Sequence, residues 1–478
     1  MLKKVCMAVI LAVGFGWVAG TYAEKPDVVV SISRVDQVQK SLLNAIQKID
    51  PQSAMMVQVF LAPGGPIIPP GMGVDAPVGI VGNVSEEAPD MVAFGPVSNF
   101  KMLDAWFKAA KDSGRFAEAA VLKENGKNFV LQQEESAVKL PANPVELLGD
   151  LPSKYLLAVD LNPAAIAEQA AELSQMIPEM DDNTEEFEKS LNECEQLQLG
   201  LNIDSQGNFQ IETFSKAVPG TDAEKQLQKA FAAKSMLGGF YEASADAGFH
   251  LICGMPPAAV QILEEQIELF PDAPMVPMLR SLMACDVLEA AGSFDVEDNE
   301  IEMVLAFTVT KGKELLKELQ EIVDANEEVT AQWDVDKVGK SISIHLISRE
   351  DWKMAVGIHS KFVFIAVEKE DAVETLKETI AKTLKIKSPK TLFRGHFDMD
   401  LAEGIPHLAK IADLDGKVTV RVTSEDGTST TGWINLENDF LKSIVTIAKN
   451  AQTAESDEDD ILIDEDWEDE DEDELDEE

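Results

Sequence analysis

Five histidines, His250, His345, His359, His396 and His407, set the limits on the metal and acid–base chemistry open to this chain. A zinc site of the His-Glu-x-x-His type needs two imidazoles one helical turn apart, and no pair here has that spacing. His396 and His407 straddle a strand-to-helix junction with Asp398 and Asp400 nearby, so these four residues form the candidate cluster for a metal or for acid–base work. His345 and His359 fall in strand-like stretches, where alternation directs them to a solvated face. Nucleophilic chemistry finds less support. There is no Gly-x-Ser-x-Gly elbow. Ser136-Ala137-Val138-Lys139 fits a Ser-x-x-Lys pattern but lacks the Lys-Thr-Gly companion. Gly339-Lys340-Ser341 resembles the end of a phosphate loop, yet Asp334 holds the first glycine position and an alternating strand follows in place of a helix. Asp413 to Gly416 and Asp295 to Asn299 lack the twelve-residue calcium pattern and read as turns. These residues lead us to expect no enzyme, no catalytic residue and no cofactor.

The 478 residues include 40 Lys+Arg against 86 Asp+Glu, a formal net charge of −46. Such a surface repels a phosphate backbone and anionic headgroups, which excludes nucleic acid and argues against docking on acidic lipid. Hydrophobic residues make up 45%, enough for a packed core. The acidity is concentrated at the end, where 18 of the 24 residues from Glu455 to Glu478 are Asp or Glu and none is basic. Self-repulsion keeps such a run solvated and disordered. Ile461, Leu462, Ile463, Trp467 and Leu475 interrupt it, a pattern suited to gripping a basic partner or to weak binding of divalent cations.

The opening residues read as a secretory signal. Lys3 and Lys4 precede an apolar run from Val5 to Val18, and small Thr21 and Ala23 place cleavage after Ala23. No later run approaches 18 apolar residues, so the mature chain is expected to be exported, periplasmic or extracellular, with no transmembrane segment. Removing Cys6 leaves Cys194, Cys253 and Cys285 with no Cys-x-x-Cys spacing, and buried free thiols are the reading.

The elements that must position these residues recur along the chain. Met91 to Trp106 aligns with Met303 to Glu318, Phe129 to Val138 with Phe362 to Val373, and Tyr155 to Leu173 with Leu392 to Ile411. Ser98 and Thr310 then fall at equivalent helix starts as N-caps, and Asn162 caps a helix with Pro163 at its first position. Leu197 to Phe214 alternates around Asp204-Ser205-Gln206-Gly207-Asn208, and Val418 to Leu436 around Glu425-Asp426-Gly427, so both read as hairpins. Thr221 and Glu224 open the next helix as a capping box. After the second hairpin, Phe440, Leu441, Ile444, Val445 and Ile447 supply an apolar helical face. Val28 to Ile46 matches Leu251 to Ile267 more weakly. A βαβ arrangement would show fewer hairpin signals. Two segments stand apart: Ala62 to Gly82, rich in Pro and Gly, reads as an exposed mobile loop, either a hydrophobic contact loop or an insertion without a role. Met180 to Glu193 reads as a solvated acidic helix.

The segments DVVVSISRVDQVQKSLL, MVAFGPVSNFKMLDAW, NFVLQQEESAV and YLLAVDLNPAAI, with Pro144-Val145-Glu146-Leu147-Leu148 as a Pro-x-x-Leu-Leu motif, resemble a family of exported proteins of unknown activity from planctomycete-like bacteria. The resemblance covers most of the first copy and implies fold and export alone. The expected architecture is α+β, two tandem copies of an antiparallel-sheet-plus-helix module at 24–235 and 236–452, between a signal peptide (1–23) and a disordered acidic tail (453–478). The expected function is a non-enzymatic scaffold that binds a protein or other envelope component. The alternatives are a carrier of an apolar small ligand and, third, a hydrolase of unknown type.

Overall fold

A computed structural model describes residues 26–62, 64–65, 67–84, 90–167, 184–241, 247–255, 257–269, 276–297, 300–326, 329–349, 352–368, 371–383, 391–404, 411 and 414–459. The strands form one sheet. From one edge it runs β4 (Ala120–Asn125), β5 (Asn128–Gln133), β3 (Asp90–Pro96), β2 (Val78–Asn83), β1 (Val28–Ile32), β6 (Leu157–Leu161), β7 (Cys194–Ile203) and β8 (Phe209–Ala217). β8 pairs with β18 (Ser429–Leu436), and the order continues through β17 (Lys417–Thr423), β16 (Phe393–Asp398), β9 (Ala247–Gly254) and β10 (Val287–Glu297). Beyond these lie β11 (Glu300–Thr308), β15 (Phe362–Glu368), β14 (Lys353–Ile358), β13 (Ile342–Ser348) and β12 (Thr330–Val338). All of these pairings are antiparallel, and those between consecutive strands such as β4–β5, β7–β8 and β17–β18 are closed by tight turns.

Local chemistry explains the turns. Between β7 and β8, the Asp204 carboxylate accepts from the Gln206 and Asn208 amides at 2.8 and 3.0 Å, and Gly207 takes a left-handed φ of 89°. Between β17 and β18, Asp426 accepts from the Thr428 and Ser429 amides, which hold its carboxyl far below the usual carboxylate range.

The helices are α1 (Val35–Ile49), α2 (Pro51–Leu61), α3 (Phe100–Asp112), α4 (Leu151–Lys154), α5 (Pro163–Ala167), α6 (Thr184–Asn192), α7 (Asp222–Ala232), α8 (Gly238–Tyr241), α9 (Pro257–Leu269), α10 (Val276–Met283), α11 (Gly312–Asp324), α12 (Ala372–Thr383) and α13 (Asn438–Asp459). Near β14 both sheet faces are covered. Leu376 and Ile380 of α12 pack with Ala355 and Phe364 on one side, and Met278 of α10 with Leu315 and Leu319 of α11 packs with Val356 and Val363 on the other. At the opposite end, the Pro144–Leu148 segment forms a 3₁₀ turn that sets Leu148, 1% exposed, among Val81, Phe94 and Val130. Full burial of one leucine is favourable by about 2–3 kcal/mol. At the middle of the sheet, Asn438 of α13 joins distant parts of the chain. It donates to the carbonyls of Ala45 and Gly207, and its backbone amide donates to the Asn208 side chain.

Several sequence expectations change in detail. The N-cap before α3 is Asn99, which accepts from the Met102 amide, while Ser98 donates to the Gly71 and Met72 carbonyls. α11 starts after Lys311, one residue beyond Thr310, with no side-chain cap. Thr221 does cap α7, and Glu224 reaches back to the Gly220 amide. The segment from Ala62 to Gly82 is not wholly an exposed loop. Its end is β2, Ile68 is 4% exposed, and Gly71 accepts from the Ser98 and Asn99 amides, because the apolar residues between its prolines pack on Val35 and Val78. α6 supplies the helix expected within Met180 to Glu193, whose first residues lie outside the described ones. Ile444 is 45% exposed, whereas Phe440 and Ile447 join Met399 and Leu414. α13 continues to Asp459, and the remaining acidic tail, like the signal region with Ala23, lies outside the described residues. Among the described residues the three cysteines are free, and burial raises each thiol above its ordinary pKa. No helix among the described residues is long and apolar enough to cross a membrane.

Candidate functional site

His396 and Asp398 stand two residues apart on β16 and so share a sheet face. His396 meets the Tyr241 ring edge-on at 4.9 Å, and the Asp398 carboxylate lies 3.9 Å from the Lys417 ammonium. Asp400 follows in the 3₁₀ turn Met399–Gly404, its amide donating to Asp398 at 3.4 Å. His407 lies outside the described residues. Among the described residues no group of three or more His, Cys, Asp or Glu is arranged to hold a metal ion.

A second polar cluster sits one strand further in. His250 on β9 is fully buried, and its Nε2 lies 2.9 Å from a carboxylate oxygen of Glu289 on β10. The same carboxylate accepts from the Ser235 hydroxyl at 2.7 Å and from the Met236 and Leu237 amides, each at 2.8 Å. Burial pushes the Glu289 carboxyl up, but His250 and these donors outweigh it and hold the group below its ordinary value. Arg394, the cross-strand neighbour of His250 on β16, donates to the Gly238 carbonyl at 2.5 Å and sits 4.3 Å over the Tyr241 ring. Glu289 and Arg394 therefore tie the 235–241 segment to the sheet, and His250 holds Glu289 from the neighbouring strand. A general acid or base must come within hydrogen-bond reach of its substrate. At 0%, 4% and 5% exposure, His250, Glu289 and Arg394 face protein and not solvent. The sequence signal available was a carboxylate and an imidazole at alternating positions of otherwise apolar strands.

His345 corrects the expectation of a solvated face. It is fully buried, its Nδ1 accepts from the Asp334 amide at 3.0 Å, and the Trp333 ring lies against it. Alternation fails here because helices pack on both faces of the sheet near β13 and β14, so the face that His345 shares with Ile347 is covered as well. Burial lowers the His345 pKa from its ordinary value. His359 lies in the turn after β14, where it stacks on Phe362 and accepts from the Lys361 amide.

The surface carries a feature that begins before the Ala62 to Gly82 segment singled out above and takes in its first residues. Residues Pro51 to Val74 contain no charged side chain. Asp50 caps α2 through the Gln52 amide and the Ser53 hydroxyl, with Pro51 at the first helical position, and Lys449 of α13 lies 3.0 Å from the same carboxylate. Ala54, Val57 and Leu61 are half-buried along the helix, and the Gln39 side chain holds the Leu61 carbonyl. The other face is bare: Met55, Met56, Val59 and Phe60 are 67%, 62%, 68% and 49% exposed, and no residue of α2 is buried. Ile67, 60% exposed, follows α2, and Met102 of α3 borders this loop beside Gly71. With both helix faces apolar, α2 shows no amphipathic period, which is why periodicity did not single it out. Exposed apolar residues grouped in this way are uncommon on a strongly charged surface.

Two open, shallow depressions among the described residues are bordered by Asp222, Lys225 and Lys229 of α7 in one and by Asp415, Asp439 and Lys442 in the other.

No family model and no curated protein matches the chain. Among solved structures it is similar to two crystal forms of TP0453. Form III shares 10% identity over 45% of this chain and 99% of that one at a TM-score of 0.24, and form I shares 11% over 45% and 98% at 0.25. Likeness at that level carries no argument about what this chain does.

Proposed function

We propose that this chain is an exported, non-enzymatic binding scaffold whose contact surface is the bare apolar face of α2 with Ile67. The observation that carries the reading is the exposure of Met55, Met56, Val59 and Phe60 within a charge-free stretch of a strongly acidic chain. The scaffold consists of two tandem α+β copies, 24–235 and 236–452. Their support is the strand order: read inward to the β8–β18 pair, β3-β2-β1-β6-β7-β8 on one side is matched by β11-β10-β9-β16-β17-β18 on the other. The segment after Ala23 is the mature protein, related to the exported planctomycete-like family. The inward use of His250, Glu289 and Arg394 supports a non-enzymatic role.

An apolar fluorescent dye tests the contact surface. Mature protein, residues 24–478, should bind the dye saturably at neutral pH, and the double variant M56E/V59E should bind about tenfold more weakly with unchanged near-ultraviolet circular dichroism. Equal binding by both proteins would remove α2 as the contact surface.

A further inference from the structure

We infer that the occupant of this surface is a neutral lipid bilayer, with α2 lying along the interface and its outer row of side chains in the acyl boundary. The inference rests on the scaffold reading above and names its partner.

Charge gives the first argument. Across α1, α2 and the following loop, Val35 to Val74, Asp36 and Asp50 are balanced by Lys40 and Lys48, so this part is neutral within a chain of net charge −46. The Asp50 carboxylate at the start of α2 is further matched by Lys449. An uncharged face on an acidic body suits a zwitterionic membrane, while an anionic one would repel the rest of the molecule. A second copy of this chain would bring two strongly acidic bodies together at one short helix.

Shape gives the second. Peptide helices are recognised in grooves. α2 is the reverse, a protruding helix with no buried residue, and its outermost side chains project outward. A fluid acyl layer accommodates a ridge that a folded partner must be carved to receive. Interfacial helices bury their apolar face roughly 5–10 Å into the headgroup boundary. α2 meets that geometry with its inner face already fixed on the protein, so no polar face of its own is required.

Flotation of the mature protein with phosphatidylcholine vesicles decides the matter. Wild type should float with the vesicles, and M56E/V59E should float about tenfold less. Wild-type flotation should be insensitive to salt on phosphatidylcholine. It should fall when anionic phosphatidylglycerol is mixed in, and recover as salt screens the repulsion. Failure of wild type to float, or equal flotation of the variant, overturns the inference. Dye binding that M56E/V59E abolishes, combined with no flotation, removes the lipid and leaves the scaffold reading standing; loss of both removes the two together. A wild-type dimer in sedimentation that V59E splits would assign the surface to a second copy instead.

Discussion

After β1 the chain forms the helices α1 and α2, and after β9 it forms α9 and α10, before each returns to the sheet as β2 or β10. The outer surfaces of the two pairs differ. α9 exposes Ile262 and Leu269 at 58% and 66%, but intersperses them with exposed Glu264, Glu265 and Glu268. α2 exposes four apolar residues with no charge among them. The interiors differ in the opposite sense. β9, β10 and β16 bury the ionisable side chains His250, Glu289 and Arg394, whereas β1, β2 and β6 bury none, their buried polar residues being the neutral Ser31 and Asn83 beside Val29, Val81 and Ala158. A helix pair at this place in the fold therefore tolerates a charged outer face, and the uncharged face of α2 is not something the fold demands. The residues with the richest chemistry hold backbone, and the residues with the plainest chemistry face outward.

The largest effect should come from the polar interior. E289Q removes the carboxylate that His250, Ser235, Met236 and Leu237 share, and should lower the unfolding free energy in denaturant by about 3–5 kcal/mol. The apolar interior should respond through a cavity: L148A, in the Pro-x-x-Leu-Leu turn, should cost about 2–5 kcal/mol in the same measurement.

A pH series sharpens the contrast between buried imidazole and exposed surface. The folded pKa of His345 lies below its unfolded value of about 6.5, so the unfolded chain binds the proton more readily. The contribution is complete above that pH and is lost as pH falls below it. Chemical denaturation between pH 7 and 5 should show this loss, and H345Q should reduce the slope. The smallest stability effect belongs to α2. M56E/V59E should shift the unfolding free energy by no more than about 0.5 kcal/mol.

The fold was legible where short-range chemistry acts. Asp204 and Gly207, Asp426 and Gly427, and Thr221 with Glu224 bond their own neighbours, so their turns and cap can be read from adjacent residues. Pro144 to Leu148 was legible as a motif, though its destination in the core was not. His345 was misread because alternation cannot tell whether a second layer covers the outer face. The His250–Glu289–Arg394 cluster joins three strands that only the folded sheet makes neighbours. α2 escaped notice because a helix apolar on both faces has no period to detect, while its missing charges were visible throughout.

The most direct test of the contact surface compares two paired variants, M56E/V59E on α2 and I262E/L269E on α9, by flotation with phosphatidylcholine vesicles beside wild type. The account predicts about a tenfold loss for the α2 pair and wild-type flotation for the α9 pair. Equal loss in both pairs, or loss in the α9 pair alone, would contradict it.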